Sequence, residues 1–262
     1  MDDTSTSRKL TILAGVGVLL AVAAAFASPI AQDPAYHLFA DIRIICGVPR
    51  FGDVASNLAF VLVGVAGLWR VSAGRADALF DTPANARVDA VPYRVFFAAA
   101  ALIGLGSAYY HWAPSTERLF WDRLPMTVAF MAFFAAITAD RIDRRIGVIW
   151  VLPIAVVLGV ASVVYWITTE RAGHGDLRPY ILIQFGPMLI LPLMCWLFRD
   201  GRLTDGRYLG ATIAVYGLAI LAARFDYEIM TLTAGAISGH SVKHLIAAIA
   251  CAIPLAMLSG RR

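Results

Sequence analysis

Eight apolar runs, each long enough to cross a lipid bilayer, account for most of the 262 residues. A helix needs about 20 apolar residues to span the roughly 30 Å hydrocarbon layer, and lipid offers its backbone no hydrogen-bond partner. Only 15% of the residues are charged and the mean hydropathy is +0.72, whereas soluble domains carry about 25% charged residues. The pattern therefore predicts an all-α, polytopic transmembrane helix bundle. The runs lie near 10–28, 54–71, 93–112, 122–139, 146–168, 179–198, 207–223 and 236–258.

Lys and Arg in the loops set the orientation of such a bundle, because they are enriched on the cytoplasmic side. If the N-terminus is inside, the inside segments hold fourteen of them and the outside segments hold seven. This bias predicts cytoplasmic N- and C-termini. The charges are spread over short loops, so the net charge of +4 does not indicate a nucleic-acid partner. The inside set is Arg8, Lys9, Arg70, Arg75, Arg87, Arg94, Arg141, Arg144, Arg145, Arg199, Arg202, Arg207, Arg261 and Arg262; the outside set is Arg43, Arg50, Arg118, Arg123, Arg171, Arg178 and Arg224.

The chain divides into three parts. Residues 1–30 are predicted to form a retained transmembrane anchor, with a cleaved signal peptide as the alternative, because positive residues precede an apolar run and small residues. Residues 31–53 form an extracytoplasmic segment, and 54–258 form a core of seven spans. The alanine- and arginine-rich composition, without organelle signals, favours a bacterial inner membrane.

Residues near the ends of the runs have simple structural interpretations. The three cysteines are widely spaced and odd in number, which argues against a disulfide framework. The aromatic residues near the span ends are typical of an interfacial belt. That set is Trp112, Trp121, Tyr165, Trp166 and Trp196.

Three of the five histidines lie at span ends that the predicted topology places on the same outer side. His240 and His244 are four residues apart and so share one helix face. His111 closes the third span. Three neutral imidazoles, with a fourth coordination position open, are what a catalytic zinc needs. The alternative is that the HxxxH pair only packs between helices.

Two further polar residues accompany His111. Ser107, one turn before it, would face the same cavity and could hydrogen-bond a developing oxyanion, or it could simply be a small residue at a helix contact. Asp122 opens the fourth span and could act as general acid and base. Its alternative is an N-terminal helix cap with Pro125 in the first turn.

The remaining basic and aromatic candidates are predicted to stay outside the site. His37 and His174 lie in polar loops and are expected at the surface. Lys243 is expected to extend toward the membrane interface. Tyr109 and Tyr110 favour packing, with cavity lining as the alternative.

These motifs resemble the alkaline ceramidase family, within the seven-span hydrolase superfamily that also includes adiponectin-receptor-type proteins. The resemblance covers residues 50–258, and the first span lies outside it. The family pattern GxGSxxxH, ten residues and D-x-LPM is matched at Gly104, Gly106, Ser107, His111, Asp122, Leu124, Pro125 and Met126. Its HxxxH is matched at His240 and His244, and its SN pair at Ser56 and Asn57.

The resemblance implies a zinc ion bound by His111, His240 and His244. It also implies that Asp122 is the acid and base and that Ser107 assists the metal and the oxyanion. The implied reaction is hydrolysis of the N-acyl bond of ceramide, or of a related N-acyl lipid taken from the bilayer. The products are a fatty acid and a sphingoid-type amine.

The chain departs from the family in its calcium region. Where eukaryotic members carry an acidic, tryptophan-containing motif and a glutamate, this chain has ADIRIICGVPR, with Arg50 at the glutamate position. Asp41, Asp53 and Asn57 could still supply oxygen ligands to Ca²⁺. The neighbouring Arg43 and Arg50 favour salt bridges with these carboxylates instead.

Two other functions are compatible with the spans. A receptor or sensor of the adiponectin-receptor type would share the metal core. Asp122, as a proton shuttle, favours the hydrolase. A metal or small-solute transporter is less compatible, because the polar residues cluster on one side and show no repeat symmetry.

Overall fold

The computed structural model describes residues 3–72 and 83–259 and confirms the all-α bundle. Arg75, Arg261 and Arg262 of the orientation count lie outside these ranges. In the described ranges, eight helices are long and apolar enough to cross a membrane. The helices are α1 Asp3–Phe26, α2 Phe51–Ala55, α3 Leu58–Arg70, α4 Pro83–Trp112, α5 Thr116–Arg141, α6 Leu152–Arg171, α7 Arg178–Leu197, α8 Gly206–Arg224, α9 Asp226–Leu232 and α10 Gly239–Ser259.

Short elements complete the chain. A π-helical turn, Ile146–Val151, leads into α6, and α2 continues into α3 as one span from Phe51 to Arg70. A 3₁₀ turn covers Pro34–His37. Strands β1 (Ile44–Ile45) and β2 (Val48–Pro49) form an antiparallel hairpin in which Ile44 pairs with Pro49 and Ile45 with Val48.

The start of α5 differs from the prediction. Ser115 caps this helix by accepting a hydrogen bond from the Arg118 amide at 3.2 Å. Asp122 therefore lies inside the helix, past its first turn, and the interpretation of Asp122 as a cap is wrong. The apolar run starts late because the first turn of α5 is polar. Pro125 is likewise internal to the helix.

Helices α4 and α5 form the centre of the bundle. Helix α4 packs against α3 and α5, α5 packs against α6 and α7, and α10 packs against α8 and α3. Gly64 and Gly67 allow the close approach of α3 to α4, since a Cβ at Gly64 would clash with Ala101 and one at Gly67 would clash with the Phe97 ring. Gly106 does the same between α4 and α5, where a Cβ would strike the Trp121 carbonyl.

Helix α1 packs against α7, and its end is bonded to the loop before α7. The Arg178 guanidinium donates to the Ala25 carbonyl at 3.1 Å, and the Leu177 amide donates to the Ile30 carbonyl at 2.8 Å. Asp176 holds Arg178 in place at 2.7 Å. The hydrogen bonds from Arg178 lower the pKa of Asp176 to about 2. These bonds connect the extra helix to the seven-helix core.

The two ends of the bundle differ in their polar residues. We call the end with His111, Asp122 and His240 the site end, and the other the closed end. At the closed end, the Asp140 carboxylate accepts from the Thr204 amide at 2.9 Å, and Arg141 donates from Nε to Thr204 Oγ1 at 2.9 Å. Arg141 also donates to the Phe198 carbonyl at 3.2 Å. The buried side chains of Asp140 and Arg141 therefore have their hydrogen-bond partners within the protein.

The aromatic residues at span ends follow the prediction with one exception. Trp112, Trp121, Tyr165 and Trp196 have large exposed surfaces, as an interfacial belt requires. Trp166 does not, because it is fully buried beneath the Arg123 guanidinium, whose carbon is 4.3 Å from the ring centroid. The belt assignment of Trp166 is therefore wrong. All three cysteines are free.

Candidate active site

Three histidines from two helices meet at the site end. His111 lies in the last turn of α4, and His240 and His244 begin α10. Their ring centroids are 4.7 to 4.9 Å apart, all three side chains are buried, and one ring nitrogen from each lies within 4.8 Å of the others. Such a set could hold a metal ion.

The hydrogen bonding of these rings tests whether a metal fits. Both ring nitrogens of His111 and Nε2 of His244 are buried without a partner, which is costly unless a ligand satisfies them. Nδ1 of His244 is 2.9 Å from Ser56 Oγ, and that hydroxyl donates to the Asp53 carbonyl at 3.3 Å. Ser56 Oγ therefore accepts a hydrogen bond from the Nδ1–H group of His244. This tautomer leaves the lone pair of Nε2 free to bind a metal. This is the arrangement of a metal-ligating histidine.

Asp226, which was not among the predicted site residues, fixes the beginning of α10. Its carboxylate accepts from the His240 amide at 2.7 Å and from the Ala40 amide at 2.9 Å. Gly239 lets the start of α10 lie close to α8, because a Cβ at this position would clash with the Ala222 carbonyl. Asp226 thus positions His240 and binds the loop segment that contains Ala40 to the same point.

Asp122 and Ser107 lie beside the histidines. Both side chains are buried, both line the cavity described below, and the Ser107 hydroxyl interacts with the Asp122 carboxylate. Ser107 lies one turn before His111 on α4 and faces the same side. Because Gly106 has no side chain, α4 lies close to the Trp121 carbonyl of α5, and this close approach brings Ser107 near Asp122. The structure thus brings together all five predicted site residues.

Phe39 closes the histidine cluster from outside, which the sequence analysis did not foresee. Its ring centroid lies 4.6 Å from that of His111 and 4.5 Å from that of His240. Phe39 is buried, although it belongs to an irregular segment. An apolar side chain there limits access of bulk water to the rings. In the sequence, the signal for this role is an aromatic residue in the short segment between the first two spans.

Lys243 does not extend to the interface as predicted. Its ammonium is 3.3 Å from His240 Nε2, and the side chain lines the cavity. The rotation of α10 that directs His240 and His244 inward also carries Lys243 inward, because residues three and four apart share a helix face. The prediction that Lys243 reaches the membrane interface is wrong.

His37 also differs from its prediction, whereas His174 is exposed as expected. His37 is half-buried, with Nδ1 2.9 Å from Tyr110 Oη and Nε2 3.1 Å from Thr116 Oγ1. Burial, and then the positive charge of Arg123, lower the pKa of His37 below its usual value. The hydrogen bonds of His37 therefore connect the segment before α2 to α4 and α5, and the buried Tyr110 has a packing role.

A cavity of about 650 Å³ extends from the histidines into the bundle. Along α8 it is lined from Arg224 to Leu209, a length of about 22 Å at 1.5 Å per residue. This is a large part of the roughly 30 Å hydrocarbon thickness. The charged groups lie at the site end, and the remaining wall is mostly apolar apart from Gln184, Thr212 and Tyr216, so the cavity suits a long acyl chain. Apolar residues that form this wall are Phe96, Phe133, Ile181, Leu191, Leu209 and Ile213.

Of the residues suggested for calcium, Asp41 is paired with a guanidinium, whereas Asp53 Oδ2 and Asn57 Oδ1 are buried without a hydrogen-bond partner. Both oxygens of Asp41 are bonded to Arg43, from Nε and Nη2 at 2.8 Å each, and Oδ2 also accepts from the Gly52 amide at 2.8 Å. Although burial raises the pKa of Asp41, these hydrogen bonds lower it overall. Oδ1 of Asp53 accepts from Ser238 and Ser241 at 2.7 Å. The cation beside Asp41 is thus a guanidinium.

A membrane-embedded helical bundle with a buried histidine triad, a neighbouring carboxylate and a lipid-sized cavity has the features of an intramembrane lipid hydrolase. The family model of the ceramidases, described as "Ceramidase", matches residues 50–260, about four fifths of the sequence. The chain therefore belongs to the ceramidase family, and it is a hydrolase that acts on the amide bond of ceramide. None of the curated proteins compared with it shows a significant match.

Proposed function

We propose that this protein is a zinc-dependent amidase that hydrolyses the N-acyl bond of ceramide or a related N-acyl lipid to a fatty acid and a sphingoid-type amine. The observation that carries the proposal is the set of buried, unpartnered histidine nitrogens at the head of an apolar cavity. Unpartnered polar atoms are expensive in a membrane interior, so a ligand must account for them.

His111, His240 and His244 are the proposed ligands. A zinc ion held by these three histidines would polarise the substrate carbonyl and activate water. Ser56 sets the tautomer of His244 through Nδ1. Phe39 limits access of bulk water to the cluster.

Asp122 is the proposed general base and acid. Its buried carboxylate would accept a proton from the attacking water and deliver it to the departing amine nitrogen. The Ser107 hydroxyl interacts with that carboxylate and has one proton to donate. Once Asp122 has taken the proton from water, Ser107 would turn its hydrogen bond to the substrate oxygen as negative charge develops there. The acyl chain would extend along the apolar wall.

The proposed location is a bacterial inner membrane, with both termini cytoplasmic and the site in the extracytoplasmic leaflet. The distribution of Arg and Lys supports this orientation. We further propose that residues 1–30 remain as an anchor, because Arg178 and Leu177 bond to the end of α1. A single cysteine in place of His174, in a cysteine-free background, should react with an impermeant reagent added outside intact cells. Protection there and labelling only after lysis would invert the orientation.

The receptor-type and transporter alternatives explain less of the molecule. A receptor does not need a buried carboxylate beside the metal ligands. A transporter needs a continuous polar path, whereas in the described ranges the cavity wall beyond the site end is mostly apolar. Family membership and Asp122 together favour hydrolysis.

The direct test is fatty-acid release from ceramide by the purified protein in detergent, with metal content measured on the same samples. We expect release by wild type, and loss of both release and bound zinc in His244→Ala. His174→Ala is the matched control, since His174 is exposed, and it should match wild type. Treatment with a chelator should abolish release, and added zinc should restore it.

Retention of zinc and activity by His244→Ala would overturn the metal assignment. Failure of zinc-loaded wild type to release fatty acid from ceramide and from a panel of N-acyl lipids would overturn the proposed reaction.

A further inference from the structure

Arg123 is a buried cation that the proposed reaction does not use. It follows Asp122 on α5, is only 5% exposed, and lines the same cavity. Its Nη1 is buried without a hydrogen-bond partner, and in residues 3–72 and 83–259 the guanidinium forms no ion pair with a carboxylate. The orientation count placed Arg123 among the outside segments, but it lies within α5, which begins at Thr116, six residues before the predicted apolar run.

Three aromatic rings hold the guanidinium in place. Its central carbon lies 4.3 Å from the ring centroid of Trp166, 4.8 Å from that of Tyr180 and 5.3 Å from that of Tyr36. These rings come from the end of α6, the beginning of α7 and the extracytoplasmic segment. The rings therefore fix the cation at the site end, where a lipid head group would lie, and away from the acyl-chain wall.

The energetics of this position require an anion. Cation–π contacts stabilise a buried cation modestly, and they do not supply the hydrogen bonds that a buried guanidinium loses from water. Arg141, which is about equally buried, donates its hydrogen bonds to Thr204 and to backbone carbonyls. Arg123 keeps a donor free and faces a cavity. A planar guanidinium binds oxyanions through paired hydrogen bonds.

We propose that Arg123 binds an oxyanion on the head group of the lipid, so that the enzyme prefers N-acyl lipids with an anionic head to neutral ceramide. This substrate class rests on the proposed amidase function. The positive charge of Lys243 on the same cavity wall favours the same class. Arg123 is a specificity-determining residue, whereas Asp122 and the histidines perform the chemistry.

The test compares kcat/KM for ceramide 1-phosphate and for ceramide of the same chain length, in matched mixed micelles. We expect wild type to prefer the anionic lipid, and Arg123→Gln to reduce the ratio of the two constants by about 10–100-fold, as for a lost charged hydrogen bond. Arg123→Lys should retain part of the preference, because it keeps the charge without the paired donors. Arg118→Gln is the matched control. Arg118 lies 4.4 Å from the Tyr109 ring outside the cavity, so its loss should leave the ratio unchanged.

A wild-type preference for neutral ceramide, or an unchanged ratio in a folded, zinc-loaded Arg123→Gln, would overturn the proposal. Inorganic phosphate and palmitate serve as competitors. Arg123-dependent competition by phosphate is the expected result, since phosphate mimics the head group. Arg123-dependent inhibition by palmitate and not by phosphate would assign the oxyanion to the fatty-acid product, and the head-group assignment would be wrong.

Equilibrium binding of both lipids to His244→Ala, with and without Arg123→Gln, separates this proposal from the proposed reaction. Selective binding of the anionic lipid that depends on Arg123, without turnover by wild type, would retain the head-group site and reject the amidase. Turnover of ceramide without that selectivity would do the reverse.

Discussion

The two ends of the bundle bury similar kinds of residues but satisfy them differently. At the closed end, Asp140 accepts from the Leu203 and Thr204 amides, and Arg141 donates to Thr204 and to the Phe198 carbonyl. At the site end, ring nitrogens of His111 and His244 and one guanidinium nitrogen of Arg123 have no partner. Burial alone therefore does not mark function in this chain.

The difference lies in what the chain itself provides. A buried charge with its hydrogen bonds complete stabilises one arrangement of helices, and removing one partner is costly. Burying a polar atom without a hydrogen-bond partner destabilises the fold, and a bound ligand can offset that cost. The closed end is accordingly structural, and the site end is arranged for a metal ion and a lipid.

The largest expected effect at the site end is on turnover. We expect Asp122→Asn to lower kcat by about 10²–10⁴-fold, the usual contribution of a general acid–base group, because a carboxamide cannot accept the proton. Bound zinc and thermal stability should remain near wild type, since Asn preserves the shape of the buried side chain. Fatty-acid release and metal analysis on one preparation measure both.

An active Asp122→Asn variant would break the comparison, because it would make this carboxylate structural like Asp140. Loss of zinc together with activity would place Asp122 among the metal ligands instead.

The closed end should show the opposite pattern. We expect Arg141→Met to destabilise the protein by about 3–5 kcal/mol, as when one partner of a buried pair is removed. Zinc content and KM measured at a permissive temperature should not change. Thermal unfolding in detergent measures the effect. Arg207→Met is the control, because Arg207 pairs with Asp205 on an exposed surface, where such pairs contribute little. Equal stability of the two variants would contradict this view of the closed end.

The sequence predicted those features that follow from helix periodicity and membrane chemistry. Apolar run length located the spans, because lipid allows few alternatives to a helix. Spacing of four residues placed Ser107 beside His111, and His240 beside His244, on common faces. The ends of helices were less certain, because the polar first turn of α5 concealed its start and made Asp122 look like a cap.

Long-range packing could not be predicted in this way. Phe39 and His37 belong to an irregular segment without periodicity, so their contacts depend on where that segment crosses the bundle. Trp166 and Lys243 were assigned outward because local sequence does not fix the rotation of a helix. Their positions follow from contacts with distant elements, as with Arg123 over the Trp166 ring.

Ser56 forms hydrogen bonds to the Asp53 carbonyl and to Nδ1 of His244, whose Nε2 has no partner. Replacing Ser56 tests whether this contact supports metal binding. We expect Ser56→Ala to weaken zinc affinity by about 10–100-fold, as is usual when a hydrogen-bond partner of a metal ligand is lost. Activity should fall at limiting zinc and recover in excess zinc. Ser162→Ala is the matched control, since this buried hydroxyl donates only within its own helix, to the Gly159 carbonyl at 2.7 Å. An unchanged zinc affinity in Ser56→Ala would show that His244 needs no help from Ser56.

The smallest expected effect concerns His37, which lies at the site end but has both ring nitrogens bonded. Burial and the charge of Arg123 lower the pKa of His37 in the folded state, so the unfolded chain takes up the proton first as the pH falls. The stabilisation that neutral His37 provides is therefore complete above its unfolded pKa of about 6.5 and is lost progressively below it. We expect the Tm difference between wild type and His37→Gln to be larger at pH 8 than at pH 5.5. The metal-binding histidines are present in both proteins, so the comparison isolates His37. A Tm difference that does not change with pH would mean that His37 titrates alike in the folded and unfolded chains.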